Sequence, residues 1–152
     1  MQITDSDRRL LRQLLDAPDA PLSTLAERAG LTSATATRRL NKLRKAGIVQ
    51  GQVRVVNWAA LGFQVQVSLR ITLDKTARNP FDAFIAEARR VPEVLEIQTF
   101  LGRVDVRLSV VARDMAHYQE VYRTRLLTLP HIADVETLMH VATIKRAESL
   151  LL

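Results

Sequence analysis

Apolar residues spaced by three and four organise the first part of this chain, and strict alternation organises much of the rest. In the stretch Gly30 to Val49, Ala36, Leu40 and Leu43 recur at i, i+4 and i+7, one face of a helix. Thr32 or Ser33 supplies the cap, since a side-chain oxygen there accepts from an orphan backbone N–H. Gly47 ends the helix, as a residue of positive φ just past a C-terminus does. Upstream, Thr4-Asp-Ser-Asp7 reads as a capping box. It opens a helix to about Leu15 with Leu10, Leu11, Leu14 and Leu15 as its stripe. Pro18 and Pro21 mark a loop. Pro21 to Ala29 reads as a short helix capped by Ser23 or Thr24, with Leu25, Ala26 and Ala29 inward. Gly30–Leu31–Thr32 is then a short turn between two helices. That is the layout of a helix-turn-helix, whose second helix enters the DNA major groove.

From Val49 to Val56 the period switches to two, which predicts a strand leading out of the helical unit. Asn57 can cap a short turn, Trp58 to Leu61, ended by Gly62; Trp58 reads as a packing residue. Gln64 to Leu73 is the cleanest strand, with Val65, Val67, Leu69, Ile71 and Leu73 on one face. Pro80 to Arg90 reads as a helix with Phe81, Phe84, Ile85 and Ala88 inward. Val94 to Leu101 and Asp105 to Ala112 read as strands joined by a turn at Gly102. Asp114 caps a helix with Met115, Tyr118, Tyr122, Leu126 and Leu129 inward, and Pro130 ends it. Asp134 to Ala142 is the last strand. The order βαββαβ is the ferredoxin-like arrangement. The expected fold class is α+β: a winged helix-turn-helix domain at 1–48, a strand or hinge linker at 49–62, and a ferredoxin-like domain at 63–152.

Charge sharpens the first half of this picture. The net charge of +6 lies almost wholly in residues 1–60, and no acidic residue occurs between Glu27 and Asp74. Eight Lys and Arg in that span face no local counter-charge, so one end of the molecule would attract a polyanion. A solvated basic face in an ordinary bundle is the competing reading, and it does not account for the missing acids. There is no apolar run long enough to span a membrane, and the N-terminus lacks the apolar core of a signal peptide. The chain has no cysteine, hence no disulfide or thiolate metal site. His117, His131 and His140 fit no common zinc spacing, and no phosphate loop or HExxH occurs. Neither a catalytic constellation nor a cofactor or metal site is expected, and a cytoplasmic location is. An RNA-binding sheet of the same βαββαβ order would stack bases on aromatics of its central strands. Val65–Leu73 and Asp105–Ala112 contain none.

A helix-turn-helix followed by a ferredoxin-like domain resembles the Lrp/AsnC, or feast/famine, family of transcription regulators. The resemblance runs through Asp5-Ser-Asp7-Arg8, Leu25-Ala26, Gly30-Leu31-Thr32, Arg38-Arg39-Leu40, Gly47-Ile48-Val49 and Ala60-Leu61-Gly62. It continues through Pro92-Glu-Val94, Gly102-x-x-Asp105, Leu126-Leu-Thr-Leu-Pro130, Glu136-Thr137 and Lys145. It implies a front domain that reads double-stranded DNA and a back domain that senses an amino acid or related metabolite. It also implies dimers that assemble into a homo-oligomer, often an octamer. Some proteins with this two-domain layout are tetrapyrrole decarboxylases, a reading opposed here by the intact basic helix and the unclustered histidines. A DNA-binding architectural regulator with no effector is the alternative within the family.

The expected DNA-facing residues are Ser33, Ala34, Thr35, Thr37, Arg38, Arg39, Asn41, Lys42 and Lys45. Arg38 is the foremost reader, with Thr35, Thr37, Asn41 and Lys42 in support. Arg39 reaches either a DNA phosphate or an acid of the first helix. In the family, the resemblance implies, the small-molecule site lies between neighbouring dimers around a loop often reading Thr-Gly-Asp-Tyr-Asp. Here that loop is Leu101-Gly102-Arg103-Val104-Asp105, in which only Gly102 and Asp105 match. Thr137, Met139 and His140, of the same or a neighbouring chain, complete the expected pocket. Arg103 stands where an acid would meet an ammonium, and it favours a ligand with a second carboxylate, such as a dicarboxylate.

Overall fold

The structure is a computed structural model, and it describes residues 2–145. The chain divides into two compact units, with the break between Val55 and Val56.

The first unit holds three helices, α1 (Asp5–Asp16), α2 (Leu22–Arg28) and α3 (Ser33–Lys45). Leu10, Ala26, Ala29, Ala36 and Leu40 form its core, with Leu14, Leu22, Leu31 and Val49 packed around them. The capping box at α1 is complete: Asp7 N–H donates to Thr4 Oγ1, and the Asp7 carboxylate accepts from the Thr4 N–H at 2.9 Å. Thr32 caps α3, accepting from Thr35 N–H at 3.2 Å. Ser23 and Thr24 do not cap α2. Pro21 is extended (φ −55°, ψ 143°), so helical geometry begins at Leu22 and both hydroxyl residues already lie in the first turn.

Both ends of the turn element close in the same way. Gly30 (φ +68°) donates to Glu27 O, and Leu31 N–H reaches back to Ala26 O. Gly47 (φ +71°) donates to Arg44 O, and Ile48 N–H to Leu43 O. Each pair satisfies the last carbonyls of a helix with a left-handed residue that only glycine adopts cheaply.

The strand expected over Val49–Val56 does not form a ladder. A period of two needs a neighbouring edge to pair with, and the described residues of this unit offer none. Val53 and Val55 are accordingly 90% and 85% exposed. Val49 N–H donates to Leu43 O at 3.3 Å, and the Gln52 side-chain amide donates to Pro18 O at 2.9 Å.

In the second unit, Asn57 Oδ1 accepts from Ala60 N–H at 3.1 Å, and Trp58 packs edge-on against Phe63. There follow β1 (Val65–Leu73), α4 (Pro80–Ala88), β2 (Val94–Thr99), β3 (Val106–Ala112), α5 (Met115–Val121) with a wide π-turn over Tyr122–Leu126, and β4 (Ile132–Met139). The sheet order is β2-β3-β1-β4, antiparallel throughout, with β1 and β3 central. Val67, Leu69, Ile71, Leu73, Val106, Leu108 and Val110 meet Phe84, Ala88, Tyr118, Val121 and Leu126 in one core. Alternation delivers one sheet face to the helices.

Phe81 and Met115 are not inward; they are 39% and 44% exposed. Each sits in the first turn of its helix. The second helix gives way to the π-turn at Tyr122 because Leu127 N–H bonds Tyr122 O, while the hydroxyls of Thr124 and Thr128 bond the carbonyls of Glu120 and Thr124. Such side-chain competition for helix carbonyls bends helices. β4 starts two residues earlier than expected and ends at Met139, following its register on β1.

Candidate nucleic-acid interface

With Ala36, Leu40 and Leu43 buried, the 3.6-residue period turns Ala34, Thr37, Arg38, Asn41, Lys42 and Lys45 outward. These six exposed residues line an open groove of about 600 Å³ along α3. Among the described residues, Arg38, Asn41, Lys42 and Lys45 have no hydrogen-bond or ion-pair partner. Their donors and charges are unused by the described residues. Thr37 donates its hydroxyl to Ser33 O at 2.9 Å, which fixes its side chain while leaving its oxygen free to accept.

Three of the nine expected residues stand apart from this groove. Ser33 is exposed at the first helical position. Thr35 is half-buried, and its hydroxyl accepts from Thr32 Oγ1 at 2.9 Å. Arg39 turns the other way. Its Nη1 donates to Thr4 Oγ1 at 2.9 Å and to Asp7 Oδ1 at 3.0 Å. Of the two roles open to it, the side chain adopts the reach back to α1.

Asp7 is therefore more than a capping residue. Its side chain is 2% exposed, and its Oδ2 also accepts from the Thr4 hydroxyl at 2.6 Å. Burial raises the carboxyl's pKa, but the bonds from Thr4 and the charge and bond of Arg39 outweigh it and hold the group below its ordinary value. On the other side of the turn, Arg9 of α1 donates from Nε to Ala29 O at 3.0 Å. Sequence reasoning placed Asp7 only in the cap and gave Arg9 no role. The available signal was aspartate at a box position usually held by Glu or Gln, with an arginine on the flank of α3.

The expected effector residues do not converge within one chain. The 101–105 loop joins β2 to β3, where Asp105 N–H donates to Ile71 O near the C-terminal end of β1. Thr137 and Met139 pair with Leu69 and Val67, and His140 N–H donates to Gln66 O. Along β1, at about 3.4 Å per residue, Thr137 lies about 7 Å and His140 about 17 Å from the level of Asp105. Asp105 is not a free acceptor: Oδ2 takes the Leu73 N–H at 2.9 Å, Oδ1 faces Lys75 Nζ at 3.4 Å, and the side chain is 14% exposed. It ties the loop to the end of β1, helped by Thr72 Oγ1, which donates to Arg103 O at 2.9 Å. Gly102 (φ +151°) has backbone geometry that suits glycine. Leu101, Gly102 and Arg103 are exposed and Val104 is half-buried. Among the described residues no cluster of three potential metal ligands occurs, and no helix is long and apolar enough to cross a membrane.

Comparison with known proteins bears on both units. The family profile of the Lrp/AsnC ligand binding domain matches residues 66–150, and that of a winged helix-turn-helix DNA-binding domain matches residues 3–50. The chain is 34% identical over 112 residues to the HTH-type transcriptional regulator AldR of Mycolicibacterium smegmatis, covering 74% of this chain and 66% of that protein. It is 28% identical to the transcriptional regulator AzlB of Bacillus subtilis, over 98% of this chain and 95% of the relative. A crystal structure of a Neisseria meningitidis transcriptional regulator in complex with L-methionine superposes with a TM-score of 0.89 at 26% identity, covering 98% of this chain and 96% of that one.

The Asp7 cluster carries a pH signature. A carboxyl with a depressed folded-state pKa adds stability that is complete above its unfolded value, about 3.9, and is lost as pH falls through the folded value. Asp7→Asn should therefore cost about 1–3 kcal/mol at pH 7, and the gap to wild type should narrow towards pH 3. Urea midpoints at the two pH values measure it; a gap of equal size at both would contradict the pairing.

Proposed function

The chain belongs to the Lrp/AsnC family of transcription regulators, and from that premise we propose that α3 reads a near-palindromic DNA site, that the protein works as a twofold-paired oligomer, and that an amino acid or related metabolite modulates it. It is a DNA-binding transcriptional regulator rather than an enzyme. The observation that carries the finer reading is the outward row of Arg38, Asn41, Lys42 and Lys45, whose charges and amide have no partner among the described residues. Arg38 and Asn41 have the donor geometry for guanine and adenine edges, while Lys42 and Lys45 suit phosphates. Arg38→Ala should weaken the specific site by about 1–3 kcal/mol. Lys45→Ala should weaken all sequences alike and flatten the salt dependence by about one counterion. Salt titrations on specific and non-specific duplexes separate the two. Equal affinities of wild type for both duplexes would refute sequence reading.

Pairing of two copies is supported by the open face of the sheet. Arg70 and Arg107 stand opposite each other on β1 and β3, flanked by Glu136 at 3.4 Å and Glu96 at 3.8 Å. The four charges pair within this row, so a second copy could cover the face without burying a net charge. Two recognition helices related by a twofold axis would enter successive major-groove turns about 34–36 Å apart, and further pairing would give a larger ring such as an octamer. Light scattering at micromolar concentration should return a multiple of 17.1 kDa; the monomer mass alone would defeat the proposal.

For the effector, a relative of similar fold is known with L-methionine bound. The loop of this chain differs in charge. Asp105 is committed to Leu73 and Lys75, so exposed Arg103 is the group left to select a ligand, and it favours a carboxylate. Met139 and His140, farther along β1 from this loop, would come from a neighbouring copy, and Thr137 from the same or a neighbouring one. A thermal-shift panel of amino acids and small dicarboxylates should find a ligand whose stabilisation drops in Arg103→Ala. A flat panel would favour the effector-free architectural reading, and a hit unchanged in Arg103→Ala would place the site elsewhere.

A further inference from the structure

We propose that Asp7 and Arg39 are positioning residues for DNA recognition: the pair sets the rotation of α3 about its own axis, and Arg39 itself makes no phosphate contact. The inference rests on α3 being the DNA-reading helix. Arg38 and Arg39 are adjacent and differ by about 100° around the helix. One is exposed and without a partner among the described residues; the other is fixed through a single nitrogen to both Thr4 Oγ1 and Asp7 Oδ1. Turning α3 to bring Arg39 outward would carry Arg38 away from the groove. It would also strand a carboxylate that is 2% exposed.

The arrangement has a second arm. Arg9 and Asp7 both lie on α1, and they grip opposite sides of the Gly30 turn. Arg9 bonds the carbonyl at the C-cap of α2, and Asp7 bonds α3. The tethers act at two points, so α3 is constrained in angle as well as in place. Hydrophobic contact through Ala36, Leu40 and Leu43 alone is non-directional and would tolerate small rotations. Charge-assisted bonds near 3.0 Å do not, because their strength falls steeply with misalignment. Base-edge readout needs such angular definition, whereas non-specific electrostatic attraction to the DNA backbone does not.

The test separates positioning from phosphate contact and from plain stability. The probes are a duplex enriched from a random pool by the wild-type protein and mixed-sequence sheared DNA. Affinities are measured across a salt series, well below the melting temperature of each variant, for Asp7→Asn, Arg39→Gln and the milder Thr4→Val. All three should lose preference for the enriched duplex, about tenfold for the first two and about threefold for Thr4→Val. The salt slope of each on mixed-sequence DNA should equal that of wild type. A slope lowered by about one in Arg39→Gln would make Arg39 a phosphate ligand and overturn the proposal. Unchanged preference in folded Asp7→Asn or Thr4→Val would reduce the cluster to a stabilising cap and overturn it as well. Failure of the DNA reading has its own signature, the absence of any duplex enriched by wild type, and it would overturn both readings.

Discussion

A single carboxylate, that of Asp7, holds the front half of this molecule in a defined arrangement. It is a charged group buried in a unit of three short helices, where an unpaired charge would be costly. It is tolerated because Thr4 and Arg39 donate to it from two elements that are far apart in sequence. The same atoms begin α1 and fasten α3. The nonpolar contacts of Leu10, Ala26, Ala36 and Leu40 supply the bulk of the stabilisation, but the hydrophobic effect is in itself non-directional. Direction comes from the polar bonds.

In the back half the corresponding constraint is the sheet. Its helix-covered face holds the core, and its open face carries charges arranged in rows. The loop from Leu101 to Asp105 is an extension of that sheet. Its aspartate satisfies the last backbone N–H of β1, so its shape depends on strand register before any ligand is considered. The acid that resemblance assigned to ligand chemistry serves the fold, and the exposed arginine beside it inherits the chemical choice.

Much of this was legible in the sequence where a local rule had no competitor. The capping box at Thr4 and Asp7, the glycine stops at Gly30 and Gly47, the alternation of Val65–Leu73 and the outward row on α3 all depend on neighbours within a few residues. The misreadings share another cause. Val49–Val56 alternates as a strand does, yet a ladder needs a second edge. Phe81 and Met115 have the right spacing for burial, but each falls in the first turn of its helix and is exposed. Ser23 and Thr24 have capping chemistry one turn too late, because Pro21 fixed the start of the helix. The engagement of Asp105 and the two tethers from α1 join residues twenty or more positions apart, and no periodicity records such pairs.

Among the described residues Arg38, Lys42 and Lys45 of α3 have no partner, and this has a consequence for the free protein. Arg38, Lys42 and Lys45 repel one another across a helix whose sequence offers no acid to offset them. Like charges a turn apart destabilise a helix by a few tenths of a kcal/mol each, so the free protein holds electrostatic tension in the helix proposed to read DNA. Ions that screen this repulsion relax the free helix, and the same ions weaken its grip on a polyanion. Ionic strength therefore moves folding and binding in opposite directions. The regulator is most tightly bound under the conditions in which its unliganded recognition helix is least at ease.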